Sequence, residues 1–160
     1  MQIDNSKLIN RRTVRERVMQ SLYAQIVSED KIDIIAERIL YPDFKNKPDL
    51  MEFAVKLIRV AFNNRAEFDK IIVETTSNWE LNRIAIVDKA LIYIGLAEFT
   101  HFPEIPPKVT INEAIEISKI YSTEKSGVFI NGILDGALDY IKINGGINKT
   151  GRGLIDESLL

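Results

Sequence analysis

The sequence predicts an all-α protein of two small helical halves that share one core. Three observations predict it. No stretch alternates apolar and polar residues long enough to make a strand, while apolar residues recur at helical spacing in segment after segment. Residues 81–99 are apolar on every side of a helical wheel, which places that helix at the centre of a bundle. The chain has 160 residues, 46% of them hydrophobic and 28% charged. That suffices for one domain, or for two halves around a common core, and disorder is not expected.

Residues 1–10 are a polar N-terminal extension without the apolar stretch of a signal peptide. Val14, Val18, Leu22 and Ile26 repeat every four residues and predict a helix over 11–27. A shorter helix is expected over 32–40, ended by Tyr41-Pro42, with a loop through Asn46-Lys47-Pro48. Leu50, Phe53, Ala54, Leu57, Ile58 and Ala61 form the apolar stripe of a helix over 49–63. Phe68, Ile71 and Ile72 face inward from another over 66–76. A break at 75–78 divides an N-terminal half, residues 11–78, from a C-terminal half, residues 79–143.

The central helix over 81–99 is followed by a loop, residues 100–108, that holds three of the five prolines. Thr110-Ile111-Asn112-Glu113 reads as a capping box, with Val109 and Ala114 as its hydrophobic staple, and predicts a helix to about Tyr121. A turn over 122–127 leads to a last long helix ending near Ile143. Residues 144–160 hold four of the eight glycines up to Gly153 and read as a flexible tail.

Several classes of chemistry are excluded. The chain has no cysteine, which removes disulfides, thiolate zinc sites and cysteine nucleophiles together. The longest apolar or glycine run, residues 90–97, is too short to span a bilayer. The single histidine, His101, lies in the proline-flanked loop and reads as solvated. Asp135 and Asp139 are four apart on a helix, but no further ligands cluster with them, so a solvated face is the better reading. Lys149-Thr150 is similar to the end of a phosphate-binding loop, but Asn148 stands where glycine is needed. No catalytic residue, metal site or cofactor is expected, and the expected location is the cytoplasm.

Net charge is −2, yet the first helix is electropositive. Lys7, Arg11, Arg12, Arg15 and Arg17 face one anion, Glu16, before Tyr23. Any nucleic-acid grip is therefore local, weak or shared with a partner. Arg12, Glu16, Gln20 and Tyr23 share a stripe opposite Val14 and Val18. Arginine pairs with phosphate, glutamine reads base edges and tyrosine stacks on unpaired bases; the alternative is an ordinary solvated face with a half-buried tyrosine. Arg15 projects nearer the apolar stripe and reads alternatively as a structural residue whose head meets a carboxylate. On the last helix Asn131, Asp135 and Lys142 line a polar face. Gly132 and Gly136 there cost about 1 kcal/mol each relative to alanine unless another backbone approaches.

Three segments resemble the NusB family of transcription antitermination factors. They are Arg11-Arg12, Arg15-Glu16, Gln20 and Leu22-Tyr23; Pro107-Lys108-Val109, Ile111-Asn112-Glu113-Ala114, Glu116 and Lys119; and the run Phe129-Ile130-Asn131-Gly132-Ile133-Leu134-Asp135. The resemblance implies an all-α fold of two small helical bundles. It implies binding to boxA RNA jointly with NusE, a small-subunit ribosomal protein, so that RNA polymerase resists termination in ribosomal RNA operons. It implies RNA contacts from Arg11, Arg12, Arg15, Gln20, Tyr23, Phe129 and Asn131, and partner contacts from Asp88 and Asp135. Some members self-associate over the RNA surface, so a homodimer is a further expectation. The chain departs from the family at Val14 and Val18, where small residues are common, and at Tyr93, where arginine is common. Two rival readings stand beside this one: the N-terminal module of an RNA cytosine methyltransferase, and a protein-interaction scaffold without RNA contact.

Overall fold

A computed structural model describes residues 8–76 and 81–155. Seven α-helices follow in order among them: α1 (Arg11–Ser28), α2 (Ile32–Phe44), α3 (Pro48–Asn63), α4 (Arg65–Thr75), α5 (Ile86–His101), α6 (Pro107–Tyr121) and α7 (Glu124–Ile143). Short 3-10 turns cover Leu81–Arg83 and Gly151–Leu154, and no strand occurs among the described residues.

The helix α5 is the axis. Every residue from Leu91 to Phe99 is buried, as a helix apolar all round requires. Around it pack α1 and α3 on one side and α6 and α7 on the other; α2 packs on α1 and α3, and α4 lies along α7. Phe44, Phe53, Leu57 and Phe68 from the first half join Leu91, Leu96, Ile117, Ile130 and Leu134 from the second in one continuous apolar cluster. Phe53 meets Phe102 edge to face with centroids 5.5 Å apart, an arrangement aromatic quadrupoles favour. Two helical bundles thus share one core.

Several boundaries differ from the sequence expectation, each for a physical reason. Helix α2 continues through Pro42 to Phe44 instead of ending at Leu40. Pro42 has no N–H to give the preceding turn. Leu40 and Phe44, only 2% and 0% exposed, are buried by that continuation. Full burial is worth about 1.5–3 kcal/mol for such a side chain, which outweighs one bond in a last turn. Helix α5 begins at Ile86, not at residue 81, after the 3-10 turn. Residues 77 and 78 of the expected break lie outside the described residues.

The expected capping box at Thr110–Glu113 does not start a helix. Helix α6 begins at Pro107, where proline suits the first position because that N–H has no partner anyway. Thr110 and Glu113 lie inside the helix, and both side chains turn to other elements. Side-chain caps stand elsewhere. The Asn10 side chain accepts from the Thr13 amide at 3.2 Å, and the Asn10 amide donates to Thr13 Oγ1 at 3.2 Å, a reciprocal box at the start of α1. Thr123 Oγ1 accepts from the Ser126 amide at 3.3 Å and starts α7.

From Ile147 onward the segment after α7 is docked on the rest of the fold. The Thr150 amide donates to the Pro103 carbonyl at 3.0 Å. Lys149 Nζ donates to the Glu98 and Phe102 carbonyls at 3.0 and 2.8 Å. That ammonium is a second donor to both carbonyls, which already accept from the Phe102 and Ile105 amides at 3.2 and 3.1 Å. Burial lowers the Lys149 pKa from its ordinary value, while Glu98 and Glu104 oppose the shift.

Candidate nucleic-acid interface

Helix α1 is held against α5 and α6 by a carboxylate clamp. Arg15 is 4% exposed and donates Nε and Nη2 to Glu98 at 2.7 and 2.9 Å. Glu98, the one carboxylate in the buried run of α5, also accepts from Thr110 Oγ1 at 2.8 Å. Burial disfavours the Arg15 charge, but the attraction and hydrogen bonds of Glu98 outweigh it and hold the guanidinium above its ordinary pKa. One turn earlier Arg12 donates Nε and Nη2 to Glu113 at 2.7 and 2.9 Å. Those hydrogen bonds raise the Arg12 pKa, yet its side chain stays 44% exposed.

This clamp sorts the expected RNA residues. Arg15 is buried with its head on a carboxylate, the arrangement that its alternative reading near the apolar stripe describes. Arg11 is exposed, with its guanidinium 4.5 Å from the Phe53 ring centroid, a cation–π contact that leaves its edge open to solvent. Arg12 keeps an open flank, and Tyr23 is 43% exposed. Gln20 is half-buried: its Oε1 accepts from Arg17 at 3.2 Å and its Nε2 donates to Tyr121 Oη at 3.4 Å. Glu16, expected on the same solvated stripe, is 1% exposed and accepts from Tyr121 Oη at 3.2 Å. The end of α6 covers that part of the stripe, a tertiary contact the periodicity of α1 alone does not reveal.

On α7, Asn131 and Asp135 are exposed and Phe129 is half-buried against the core. Gly136 sits where α4 crosses, and a Cβ there would lie 2.5 Å from Thr75 Cγ2. Gly132 has nothing within 4 Å of where a Cβ would stand. These residues are separated from α1 by α6, which packs on both helices.

Asp88 sits in the first turn of α5 and is 5% exposed. It accepts from Ser122 Oγ at 3.1 Å and Ser126 Oγ at 2.9 Å, which ties α5 to the α6–α7 turn. Both oxygens of this carboxylate are thus engaged within the chain. Tyr93 is buried and donates to Asp69 Oδ1 at 2.5 Å. His101 is exposed and paired with Thr100 Oγ1 at 2.7 Å.

Glu98 and Glu113 were not singled out as partners of the arginines. A carboxylate within a long apolar run is a signal that a cation is buried with it, and Glu98, in the run from Leu91 to Phe99, carries that signal.

No group of three or more histidine, aspartate or glutamate side chains is placed to hold a metal among the described residues. Nor is any described helix long and apolar enough to cross a membrane. The fold and surface define a class: all-α proteins of two fused bundles whose exposed chemistry is a cationic helix end. The sequence model of the NusB family matches residues 12–139, and the chain belongs to that family. It is 45% identical to the transcription antitermination protein NusB of Chloroherpeton thalassium, over 93% of this chain and 71% of the relative. To the protein of the same name from Salinibacter ruber it is 40% identical, over 91% of each. T. maritima NusB has a similar structure, with a TM-score of 0.75 and 35% identity over 82% of this chain and 92% of that one. A NusB chain solved with NusE and double-stranded RNA shares the fold, with a TM-score of 0.70 and 23% identity over 81% of this chain and 96% of that one.

Proposed function

We propose that this chain is a non-enzymatic transcription antitermination factor that acts in the cytoplasm. It binds boxA-type RNA jointly with NusE, within the RNA polymerase antitermination complex, and suppresses termination in ribosomal RNA operons. The observation that carries the reading is family membership at 45% identity to a relative bearing that name. The exposed arginine end of α1, in a chain of net charge −2, supports local contact with phosphate. Arg11, Arg12 and Tyr23 are the proposed direct RNA contacts on α1, with Gln20 at its half-buried margin. Phe129 and Asn131 are the proposed contacts on α7, and Asp135 with the open Gly132 face is the proposed partner surface. Arg15 and Asp88 act by positioning, Arg15 beneath the RNA surface and Asp88 at the α6–α7 turn. A homodimer formed over the α1 surface would compete with RNA and belongs to the same proposal.

Titration of labelled boxA RNA with and without NusE tests it. The expected result is weak binding alone and a large gain with the partner. By linkage RNA then tightens NusE binding by the same factor. Equal affinity with and without NusE would make the chain a self-sufficient RNA binder, and no binding in either case would leave a protein scaffold.

A further inference from the structure

Next to the arginine end of α1 the structure forms a groove of about 1080 Å³, and its far wall is the C-terminal segment. Arg11, Arg12, Ile105, Val109, Arg152 and Ile155 are among the residues that line it. The segment that brings Arg152 there is built into place. Lys149 is anchored on the carbonyls of Glu98 and Phe102, and the Thr150 amide on that of Pro103. Gly153 is buried so tightly that a Cβ would lie 1.9 Å from the Pro103 carbonyl oxygen, a distance no side chain tolerates.

The charges in the groove are unequally engaged. Glu113 is taken up by Arg12 at 2.7 Å and approached by Arg15 at 3.9 Å, and Arg15 itself is spent on Glu98. Arg152 is exposed and has no ion-pair or side-chain hydrogen-bond partner among the described residues. Among the described lining residues Glu104 is the remaining anion, and its charge also acts on Lys149. Two exposed guanidinium groups, Arg11 and Arg152, therefore share one groove with the apolar side chains of Val109 and Ile155, which suits a strand whose phosphates meet the arginines and whose sugars and bases meet the apolar surface.

We propose that the docked C-terminal segment is a second wall of the RNA site, and that Arg152 contacts the backbone of single-stranded RNA running between it and Arg11. The inference rests on the RNA reading above and adds a residue and a segment to it. The groove continues the exposed face of α1, so one strand engages both.

The experiment uses the full chain, a fluorescein-labelled single-stranded RNA carrying boxA, and uridine homopolymer of equal length, both with NusE present. Affinity is measured from low to moderate salt. Loss of one phosphate contact from a single strand reduces the slope of log K against log salt by about 0.7. Arg152→Gln is expected to lower the slope by that amount on both RNAs, to weaken binding severalfold at low salt and to leave the melting temperature unchanged. Arg152→Lys should restore most of the slope. Gly153→Ala keeps the charge but expels the segment, so it should lower the slope as Arg152→Gln does. If Arg152→Gln leaves slope and affinity unchanged while Arg11→Ala weakens binding, the segment is a strap and the inference is overturned with the RNA reading intact. If wild type fails to bind either RNA, both fall together.

Discussion

At the scale of residues, two arginines a turn apart do different work. Arg12 and Arg15 each make a two-pronged bond to a glutamate, but Arg12 is 44% exposed at its side chain and Arg15 only 5%. An exposed pair contributes roughly 0.2–1 kcal/mol, whereas removing one partner of a buried pair costs about 3–5 kcal/mol because the other charge is stranded. Urea unfolding should therefore show Arg12→Ala within about 1 kcal/mol of wild type and Arg15→Ala lower by about 3–5 kcal/mol. Comparable losses for the two would show that the Glu98 clamp is not the structural element described. Tyr23 belongs with Arg12. Being 43% exposed, it should lose about 1–3 kcal/mol of RNA affinity on Tyr23→Ala with little change in melting temperature. A large fall in stability would instead assign the ring to the core. Tyr93 makes a prediction about pH. Burial, then its hydrogen bond to Asp69, raises its pKa far above 10.0. Above pH 10 the unfolded chain releases that proton and the folded one keeps it, so stability falls as pH rises. The alkaline limb of a pH–stability profile should be flatter for Tyr93→Phe than for wild type; identical limbs would mean the phenol ionises freely in the fold.

At the scale of elements, helix α7 carries an internal comparison. Gly132 and Gly136 are one turn apart in the same helix, so propensity treats them alike. Tertiary contact separates them, because α4 presses on Gly136 while the space over Gly132 is open. Gly132→Ala is expected to stabilise by up to about 1 kcal/mol, and Gly136→Ala to destabilise, since Thr75 must move. Thermal melts of the two variants decide this, and stabilisation by both would mean α4 yields readily. If the open face receives a partner backbone, Gly132→Ala should also weaken NusE binding, which titration of the stabilised variant reads directly. Helix α6 teaches the same lesson at its start. Its sequence contains a well-formed capping signature, but Thr110 and Glu113 are drawn to Glu98 and Arg12, and a proline begins the helix a turn sooner.

At the scale of the whole molecule, the two halves share α5 and a single apolar cluster. Neither half buries its inner face without the other. Unfolding followed by circular dichroism and by tyrosine fluorescence should give one coincident transition. Two separated transitions would mean that the halves are independent domains. Docking of residues 147–155 against the α5–α6 loop ties the end of the described chain to the same unit, beside the cationic end of α1.

The helical class, the central helix and the electropositive first helix were legible in the sequence. They follow from periodicity and local charge, which are properties of neighbours along the chain. The motifs around Arg11, Asn112 and Asn131 were legible too and pointed to the family. What only the tertiary structure decided is which polar side chains remain free. Arg15, Glu16 and Asp88 carry charges that suggest a surface role, yet each is buried against a residue distant in sequence: Glu98, Tyr121, and Ser122 with Ser126. Arg152 lay in a stretch that glycine content marked as loose, yet Lys149 and Gly153 dock it. Burial of a polar group depends on what lies across the interface, and a one-dimensional pattern holds no record of that neighbour.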